Sequence, residues 1–302
     1  MFNFVHQKKS HVMERKTNLK MSSRLLVLLC MMGAGLIVAS VASALLALSP
    51  HGQSLLTLLT VQDVLAFIVP SIVAMAIFYR RPWHVMYLDR SPGWGWLLFA
   101  VGFYVVSLPA MNWLVDVNKA MSLPSWMSGV EQWMRATEDA AAATTSTLLD
   151  IHSIPQLLIT VFVVGFMAGL SEEILFRGAM LRTMQDSRLG THAVVWIVAI
   201  IFSAIHMQFY GFIPRMLLGL WLGYLLVWSR CLWVPIIAHT LNNSTVVVLS
   251  YLSNVEIVPD GYGDNLGLPS PGDFPWMAVG SLVISVAIAM CAHRHSSHLK
   301  CK

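Results

Sequence analysis

Long apolar runs alternate with short polar connections along most of the chain, and no run shows the two-residue alternation of a half-buried strand. An apolar segment of about 20 residues can cross the hydrocarbon core of a bilayer as a helix, in which every backbone polar group is paired internally. The pattern therefore predicts an all-α fold, a polytopic transmembrane helical bundle of about eight spans. The expected spans are residues 25–48, 55–79, 94–114, 154–176, 193–207, 216–228, 232–252 and 276–292.

Composition points to the same class. Of the 302 residues, 57% are hydrophobic and only 11% are charged, and the mean hydropathy is +0.67. Soluble globular domains carry about 25% charged residues, so a soluble globular protein is excluded. The formal net charge of +4 is accounted for by basic loops, so no nucleic-acid partner is expected and the surrounding partner is the lipid bilayer.

The signs of the loop charges predict the orientation of the chain. Basic residues dominate the N-terminal arm, the second and sixth loops, the tail, and the fourth loop, to which Arg177, Arg182 and Arg188 are assigned. Acidic residues dominate the third and seventh loops. Because basic loops are retained in the cytoplasm, both termini are predicted to be cytoplasmic, in agreement with an even number of spans. We expect a multi-pass protein of the cell membrane, the inner membrane of a bacterium.

The third loop and the first span leave two alternatives open. The middle of the loop carries Trp126 and Trp133, so it could rest on the outer membrane surface, cover the bundle or form a plain connection. Ala42-Ser43-Ala44 is a candidate signal-peptidase site, but the apolar run continues past it, so we expect the span to be retained. The predicted organisation is a basic cytoplasmic arm (1–24), a transmembrane bundle (25–292) with a core (154–252), and a cytoplasmic tail (293–302).

Glu172, Glu173 and Arg177 lie at the end of a long apolar run. An ionisable side chain at membrane depth costs roughly 2.5–3.5 kcal/mol on translocon scales, so such residues persist mainly where they are paired and used. Glu173 and Arg177, four residues apart, share a helix face, whereas Glu172 points about 100° away. One carboxylate is therefore predicted to pair with the arginine while the other faces a cavity.

Two further polar groups lie in later spans: His206, and the pair His239 and Asn243, which share a helix face. Glu172 precedes Leu189 by 17 residues and His206 follows it by 17, so both are expected about 25 Å from the intervening turn. His239 lies only about 10 Å into its span by the same count, so convergence requires that helix to begin deeper. We predict that Glu172, His206, His239 and Asn243 line one water-accessible cavity.

Each of these groups also has a purely structural interpretation. A Glu–Arg pair can hold helices together, a buried histidine can be a hydrogen-bonded core residue, and an asparagine can link two helices. Together they fit hydrolysis: a partly desolvated carboxylate can take a proton from water, and imidazole or amide N–H groups can stabilise the resulting oxyanion. A serine nucleophile is disfavoured, because the chain has no G-x-S-x-G elbow.

These residues resemble the three motifs of the CPBP family of intramembrane endopeptidases, between about residues 165 and 244. That family groups the CAAX-processing Ras-converting endopeptidase with bacterial bacteriocin-processing and immunity-type proteins. The order of the motifs and their placement on separate spans agree with the resemblance. The motifs are Glu172-Glu173-x-x-x-Arg177, Phe202-x-x-x-His206 and His239-x-x-x-Asn243.

The resemblance implies a glutamate-dependent mechanism that requires no cofactor, in which Glu172 activates the attacking water. Zinc stays open, because Glu172, His206 and His239 would form a three-ligand site with an open position. Against zinc, the chain has no H-E-x-x-H motif and Asn243 is a poor zinc ligand. The resemblance implies that Glu173 and Arg177 support Glu172. It also implies that the water is positioned and the oxyanion held by His206, His239 and Asn243.

Two other classes of function compete with proteolysis. One is a non-catalytic membrane scaffold or an immunity-type protein that binds a partner. The other is a proton-coupled transporter, which would use buried carboxylates and histidines as relays, although the chain shows no inverted repeat or paired broken helices. For the endopeptidase, we expect the substrate to be a peptide or a membrane-associated protein.

Overall fold

The computed structural model describes residues 15–48, 54–270 and 272–299. Regular structure within these ranges is helical, apart from one isolated antiparallel bridge between Arg15 and Tyr79, which confirms the all-α class. The longer helices are α1 (Met21–Leu46), α2 (Leu55–Phe78), α3 (Trp94–Lys119), α4 (Ser128–Leu148), α5 (Ile154–Gln185), α6 (Thr191–Ala204), α7 (Phe212–Ser229), α8 (Trp233–Asn254) and α9 (Trp276–Leu299).

Six helices of the described chain are long and apolar enough to cross a membrane: α1, α2, α3, α5, α7 and α9. Their outward side chains include strongly exposed apolar residues such as Leu26, Ile37 and Leu98, the surface expected against lipid tails. The protein is therefore a multi-pass membrane protein. Two other predicted spans do not meet this requirement of length and apolar character: α6 has only 14 residues, and α8 has 22 but includes several polar side chains. The count of eight spans stays a prediction.

The cytoplasmic location of both termini also stays a prediction, and a pair of fusions tests it. A phosphatase that is active only outside the cytoplasm should be inactive when fused after Lys302. The same phosphatase inserted at Asp264, in the acidic connection between α8 and α9, should be active, because acidic loops are exported readily. Phosphatase activity of the fusion after Lys302, combined with inactivity of the insertion at Asp264, would show that the orientation is the opposite of the predicted one.

Two predicted spans have the wrong boundaries. The fourth, 154–176, is too short, because α5 continues to Gln185. Arg177 and Arg182, assigned above to a loop, are therefore buried helical residues, and Arg182 Nε donates to the Val85 carbonyl at 2.6 Å. The fifth, 193–207, is too long, because α6 ends at Ala204 and the backbone is left-handed at Met207, with φ +55°.

Three other segments also differ in detail from the prediction. The third loop contains a helix, α4, that follows a short turn at Ser125–Met127. The predicted tail begins as a continuation of α9, which extends to Leu299. The N-terminal arm is described only from residue 15, so Lys8 and Lys9 lie outside the described chain, as do residues 300–302.

The middle of the bundle is formed by α5, whose residues from Ile174 to Leu181 are all buried. Two pairs of glycines with G-x-x-x-G spacing, Gly165 with Gly169 and Gly219 with Gly223, lie where helices approach closely. A Cβ atom at Gly169 would come within 3.2 Å of the Thr240 nitrogen on α8, and one at Gly223 within 2.9 Å of Val195 on α6. The absence of side chains at these positions therefore brings α5 against α8 and α7 against α6.

The described part of the N-terminal arm is held by the connection that follows α5. Asp186 accepts hydrogen bonds from Arg15 Nε at 2.6 Å and from Arg24 Nη1 at 2.9 Å, and Arg24 Nη1 also donates to the Tyr79 hydroxyl. Burial alone would raise the pKa of the Asp186 carboxyl, but hydrogen bonding by Arg15 and the charges of Arg15 and Arg24 hold this pKa below its ordinary value.

Replacing Asp186 with asparagine should therefore destabilise the fold at neutral pH. We expect the free energy of unfolding to fall by about 2 kcal/mol, less than the 3–5 kcal/mol of a fully buried pair, because the Arg15 side chain is 24% exposed. The pKa of Asp186 is lower in the folded than in the unfolded state. Its contribution to the free energy of unfolding is therefore complete above the pKa of the unfolded state, and it is lost as pH falls through the pKa of the folded state.

The measurement is thermal unfolding of wild type and Asp186→Asn in lipid nanodiscs, at neutral and acidic pH. Asp89→Asn is the matched control, because the pair of Asp89 with His84 is exposed and should contribute little. If Asp186→Asn is as stable as Asp89→Asn at neutral pH, the contacts of Asp186 with the N-terminal arm do not contribute to the stability of the fold.

Candidate active site

The two glutamates of the first motif lie on a regular turn of α5 between two π-helical segments, Val161–Met167 and Ile174–Leu181, and Arg177 lies within the second segment. A π-helical segment inserts an extra residue per turn and changes the direction in which the following side chains point, and such segments occur often at functional sites. The intervening turn, Ala168–Glu173, carries Glu172 and Glu173. The two carboxylates therefore diverge as the helical period predicts, and they have different surroundings.

Glu173 and Arg177 form a fully buried ion pair. Arg177 Nη1 donates to Glu173 Oε1 at 2.6 Å, and both side chains are 0% exposed. Arg177 Nη2 donates to the Gly219 carbonyl on α7 at 3.0 Å, and its guanidinium lies 4.6 Å from the Phe202 ring centroid on α6. The prediction that Glu173 faces Arg177 agrees with this geometry, and Arg177 joins α5 to α6 and α7.

His239 connects the two glutamates from α8. Its Nδ1 lies 2.9 Å from Glu173 Oε1, and its Nε2 lies 3.7 Å from Glu172 Oε2. A carboxylate paired with Arg177 can only accept hydrogen bonds, so the hydrogen-bond network assigns a proton to Nδ1 of His239. In the neutral ring, Nε2 then presents its lone pair to Glu172.

The depth of His239, which seemed too shallow from the sequence, is explained by where α8 begins. Cys231, Leu232 and Val234 at its start are buried, and the Leu232 nitrogen donates to the Tyr87 carbonyl at 3.0 Å. The helix therefore begins inside the bundle, as convergence required, and its second turn reaches the level of Glu172.

His206 approaches Glu172 from the turn that follows α6. Its Nδ1 lies 2.7 Å from the Phe202 carbonyl oxygen. Because a carbonyl only accepts, Nδ1 is again assigned the proton. Its Nε2 lies 4.0 Å from Glu172 Oε1. Glu172 is thus flanked by the Nε2 atoms of two imidazoles, one from α8 and one from the turn after α6.

Glu172 is the carboxylate of this group that reaches the surface. Its Oε2 atom, like that of Glu173, is buried and has no hydrogen-bond partner, and the two imidazole nitrogens are beyond hydrogen-bond distance of Glu172. The side chains of Glu172 and His206 are 19% and 27% exposed, whereas His239 is 4% exposed. Glu172 is thus the partly exposed carboxylate, the arrangement expected of a group that binds water or substrate, whereas Glu173 is enclosed and bonded to Arg177 and His239.

Asn243 lies one turn beyond His239, but its amide bonds away from Glu172. Its Nδ2 donates to the Val164 carbonyl of α5 at 3.2 Å, and its Oδ1 accepts from Asn242 at 3.1 Å. The structure thus brings Glu172, His206 and His239 together and gives Asn243 an interhelical contact. The chemical role of each residue stays a prediction.

Two ionisable side chains that the sequence analysis did not select also lie near Glu172. Asp63 of α2 accepts a hydrogen bond from Ser171 at 2.9 Å, and its charge interacts with that of Glu172. Arg215 of α7 binds the side chain of Gln208 and interacts electrostatically with Glu172. A signal for Asp63 was present, since it is the only acidic residue in its apolar run, whereas Arg215 lies just outside the predicted sixth span.

The surface helix α4 covers the loop that follows His206. Glu138 accepts a hydrogen bond from the Tyr210 nitrogen at 3.2 Å, Arg135 lies over the Tyr210 ring, and the Trp133 and Phe209 ring centroids are 5.1 Å apart. Of the alternatives left open for the third loop, the structure therefore shows a helix that covers part of the bundle beside the site.

The zinc site implied by the resemblance stays a prediction. Glu172, His206 and His239 are the residue types that zinc takes. However, no group of three or more His, Cys, Asp or Glu side chains within the described ranges has the spacing to hold a metal ion. We therefore derive no step of the chemistry through a metal.

A protein-family model matches the middle of the chain. Residues 154–245 match the model of the family described as Rce1-like, type II CAAX prenyl endopeptidase, a segment that includes all seven residues of the three motifs. No curated protein and no solved structure matches the chain. The matched segment is the part that packs α5, α6, α7 and α8 around Glu172, and this part of the chain is similar to the Rce1-like endopeptidases.

Proposed function

We propose that this protein is an intramembrane endopeptidase that hydrolyses a peptide bond of a membrane-associated protein or peptide with water activated by Glu172. The observation that carries the proposal is the partly exposed Glu172 carboxylate, with His206 Nε2 4.0 Å from its Oε1 atom and His239 Nε2 3.7 Å from its Oε2 atom. A protease family supports the reaction type. A scaffold would have no use for an acid whose buried oxygen is unpaired at this position, since leaving it unpaired costs stability.

In the proposed reaction, water bound beside Glu172 loses a proton to the carboxylate as its oxygen attacks the carbonyl carbon of the scissile peptide bond. The tetrahedral intermediate collapses when the C–N bond breaks, and the proton held by Glu172 passes to the leaving amine. The products are a new carboxylic acid and a new amine, so atoms and charge balance without a covalent enzyme intermediate.

The assigned tautomers refine the roles of the histidines. Neutral His206 and His239 present Nε2 lone pairs, which accept hydrogen bonds from the attacking water and orient it. Either ring becomes a donor to the oxyanion only after taking a proton at Nε2. Asn243 would stabilise the oxyanion only after its amide releases the Val164 carbonyl.

Glu173 and Arg177 support these groups without contacting the substrate in the proposed reaction. Glu173 fixes the orientation of the His239 ring through Nδ1, as a carboxylate behind a catalytic imidazole commonly does. Arg177 neutralises Glu173 in a site with no solvent access, so that a charged acceptor can be kept at this depth. The pair is thus expected to position His239 rather than to touch substrate.

The experiment that tests the proposal is peptide cleavage by purified protein in lipid nanodiscs. A mixed pool of membrane-binding peptides, half of them prenylated, is incubated with wild type and with Glu172→Gln, and the products are identified by mass spectrometry. Internal cleavage by wild type alone is the expected result. Cleavage of only the prenylated half would define a CAAX-type substrate, and equal cleavage by both proteins would contradict the proposal.

Activity is also expected to survive removal of metal ions. If Glu172 activates water directly, exhaustive chelation of the purified protein should change the cleavage rate by less than about twofold, because no step uses a metal Lewis acid. The measurement is the initial rate before and after chelation, with metal content determined in parallel. Loss of activity that stoichiometric zinc restores would assign the protein to the metallopeptidases.

A further inference from the structure

Asp63 is a buried acid on a helix that lies outside the segment matched to the family. It is 8% exposed and begins a π-helical segment of α2, Asp63–Ile68. An acid in a membrane span is costly and is retained mainly where it has a partner and a use. The mechanism proposed above does not use it.

The partner of Asp63 is the residue directly before Glu172. Ser171 is fully buried, and its Oγ donates to Asp63 Oδ1 at 2.9 Å. The Ala168 carbonyl, 3.0 Å from the same Oγ atom, is the alternative acceptor within α5. A hydroxyl group has one proton to donate, so Asp63 competes with the α5 backbone for Ser171 and ties the Glu172 turn to α2.

The position of Asp63 is itself fixed by close packing of α1. A Cβ atom at Gly35 would lie 3.0 Å from the Ala66 Cα atom and 2.9 Å from Pro70. Because only a residue without a side chain allows this approach, α1 holds the π-helical segment of α2 against α5. The segment that carries Asp63 thus packs against α1 on one side, and Asp63 is hydrogen-bonded on the other side to the turn that carries Glu172.

We propose that Asp63 is a positioning residue for Glu172, which it holds in line with His206 and His239 through the hydrogen bond to Ser171. The proposal rests on the proposed function. Without this bond, Ser171 turns to the Ala168 carbonyl and the Glu172 turn is free to shift relative to α2. A shift of about 1 Å at a reacting group can reduce a rate by about 100-fold. Binding of substrate is expected to be unaffected, because Asp63 and Ser171 are both buried.

The test compares Asp63→Ala, Asp63→Asn and Ser171→Ala in the nanodisc cleavage assay. Asp63→Ala and Ser171→Ala should each lower kcat by about 10- to 100-fold with KM unchanged, and the double variant should be no slower than either single variant. Asp63→Asn should stay within about threefold of wild type, because its side-chain oxygen still accepts the Ser171 hydrogen bond.

Rescue by asparagine and the kcat-only effect separate positioning from a general loss of structure. Thermal unfolding of each variant is measured in parallel. If Asp63→Ala does not fold, the comparison of kcat between Asp63→Asn and Ser171→Ala tests the inference. Wild-type kcat in Ser171→Ala, or a loss in Asp63→Asn equal to that in Ser171→Ala, would overturn the inference. If Glu172→Gln retains wild-type cleavage, the proposed function fails instead, so the two failures are distinguishable.

Discussion

Replacing Glu172 with glutamine is expected to reduce kcat for peptide cleavage by at least about 1,000-fold, the scale of a lost general base. Glutamine keeps the size of the side chain but cannot take a proton from water. The fold should be unaffected, because Glu172 Oε2 has no hydrogen-bond partner to lose. The measurement is kcat of the purified variant in nanodiscs, with its unfolding temperature determined alongside.

Glu138→Gln is the matched control for this change. Glu138 is a second carboxylate beside the site, but it lies on α4 and accepts a bond from the Tyr210 backbone, which a glutamine oxygen can also accept. Its kcat should remain within a few-fold of wild type. A Glu172→Gln protein as active as Glu138→Gln would show that some other group activates the nucleophile.

Replacing Arg177 with methionine is expected to produce the largest loss of stability, about 3–5 kcal/mol, because it leaves Glu173 charged and buried without a counter-ion. The variant also loses the hydrogen bond to the Gly219 carbonyl and the contact with the Phe202 ring. The measurement is thermal or denaturant unfolding of the protein in nanodiscs.

The double variant Glu173→Gln/Arg177→Met provides the control. It removes the unpaired charge and keeps an acceptor for His239, so it should recover part of the stability lost by Arg177→Met. If Arg177→Met alone unfolds at the wild-type temperature, the buried ion pair contributes nothing, and Arg177 needs a different explanation.

The helices could be predicted from hydropathy because lipid imposes one rule on every span: apolar outside and internally hydrogen-bonded. The rule fails where charge is neutralised within the bundle. Arg177 and Arg182 look like the end of a span, yet α5 continues past them because Glu173 and the Val85 carbonyl bind them. Whether a charge has an internal partner depends on other helices, so hydropathy could not place the end of α5.

Part of the site was readable from helical geometry alone. The four-residue spacing of Glu173 and Arg177 predicted their pairing, and the offset of about 100° predicted that Glu172 faces elsewhere. The bonding of Asn243 to α5 was not readable, because it depends on how closely α5 approaches α8. The role of Asp63 was not predicted, although an acid within an apolar run is a sequence signal, because its partner Ser171 lies on another helix.

The measurement that tests the central claim most directly compares the membrane peptides of cells that produce wild type with those of cells that produce Glu172→Gln at the same level. If the protein is an endopeptidase that depends on Glu172, an uncleaved membrane-associated protein or peptide should accumulate with Glu172→Gln, and its fragments should appear only with wild type. Identical membrane peptides from the two cell populations, at equal and stable levels of the two proteins, would contradict the endopeptidase account and favour a non-catalytic scaffold.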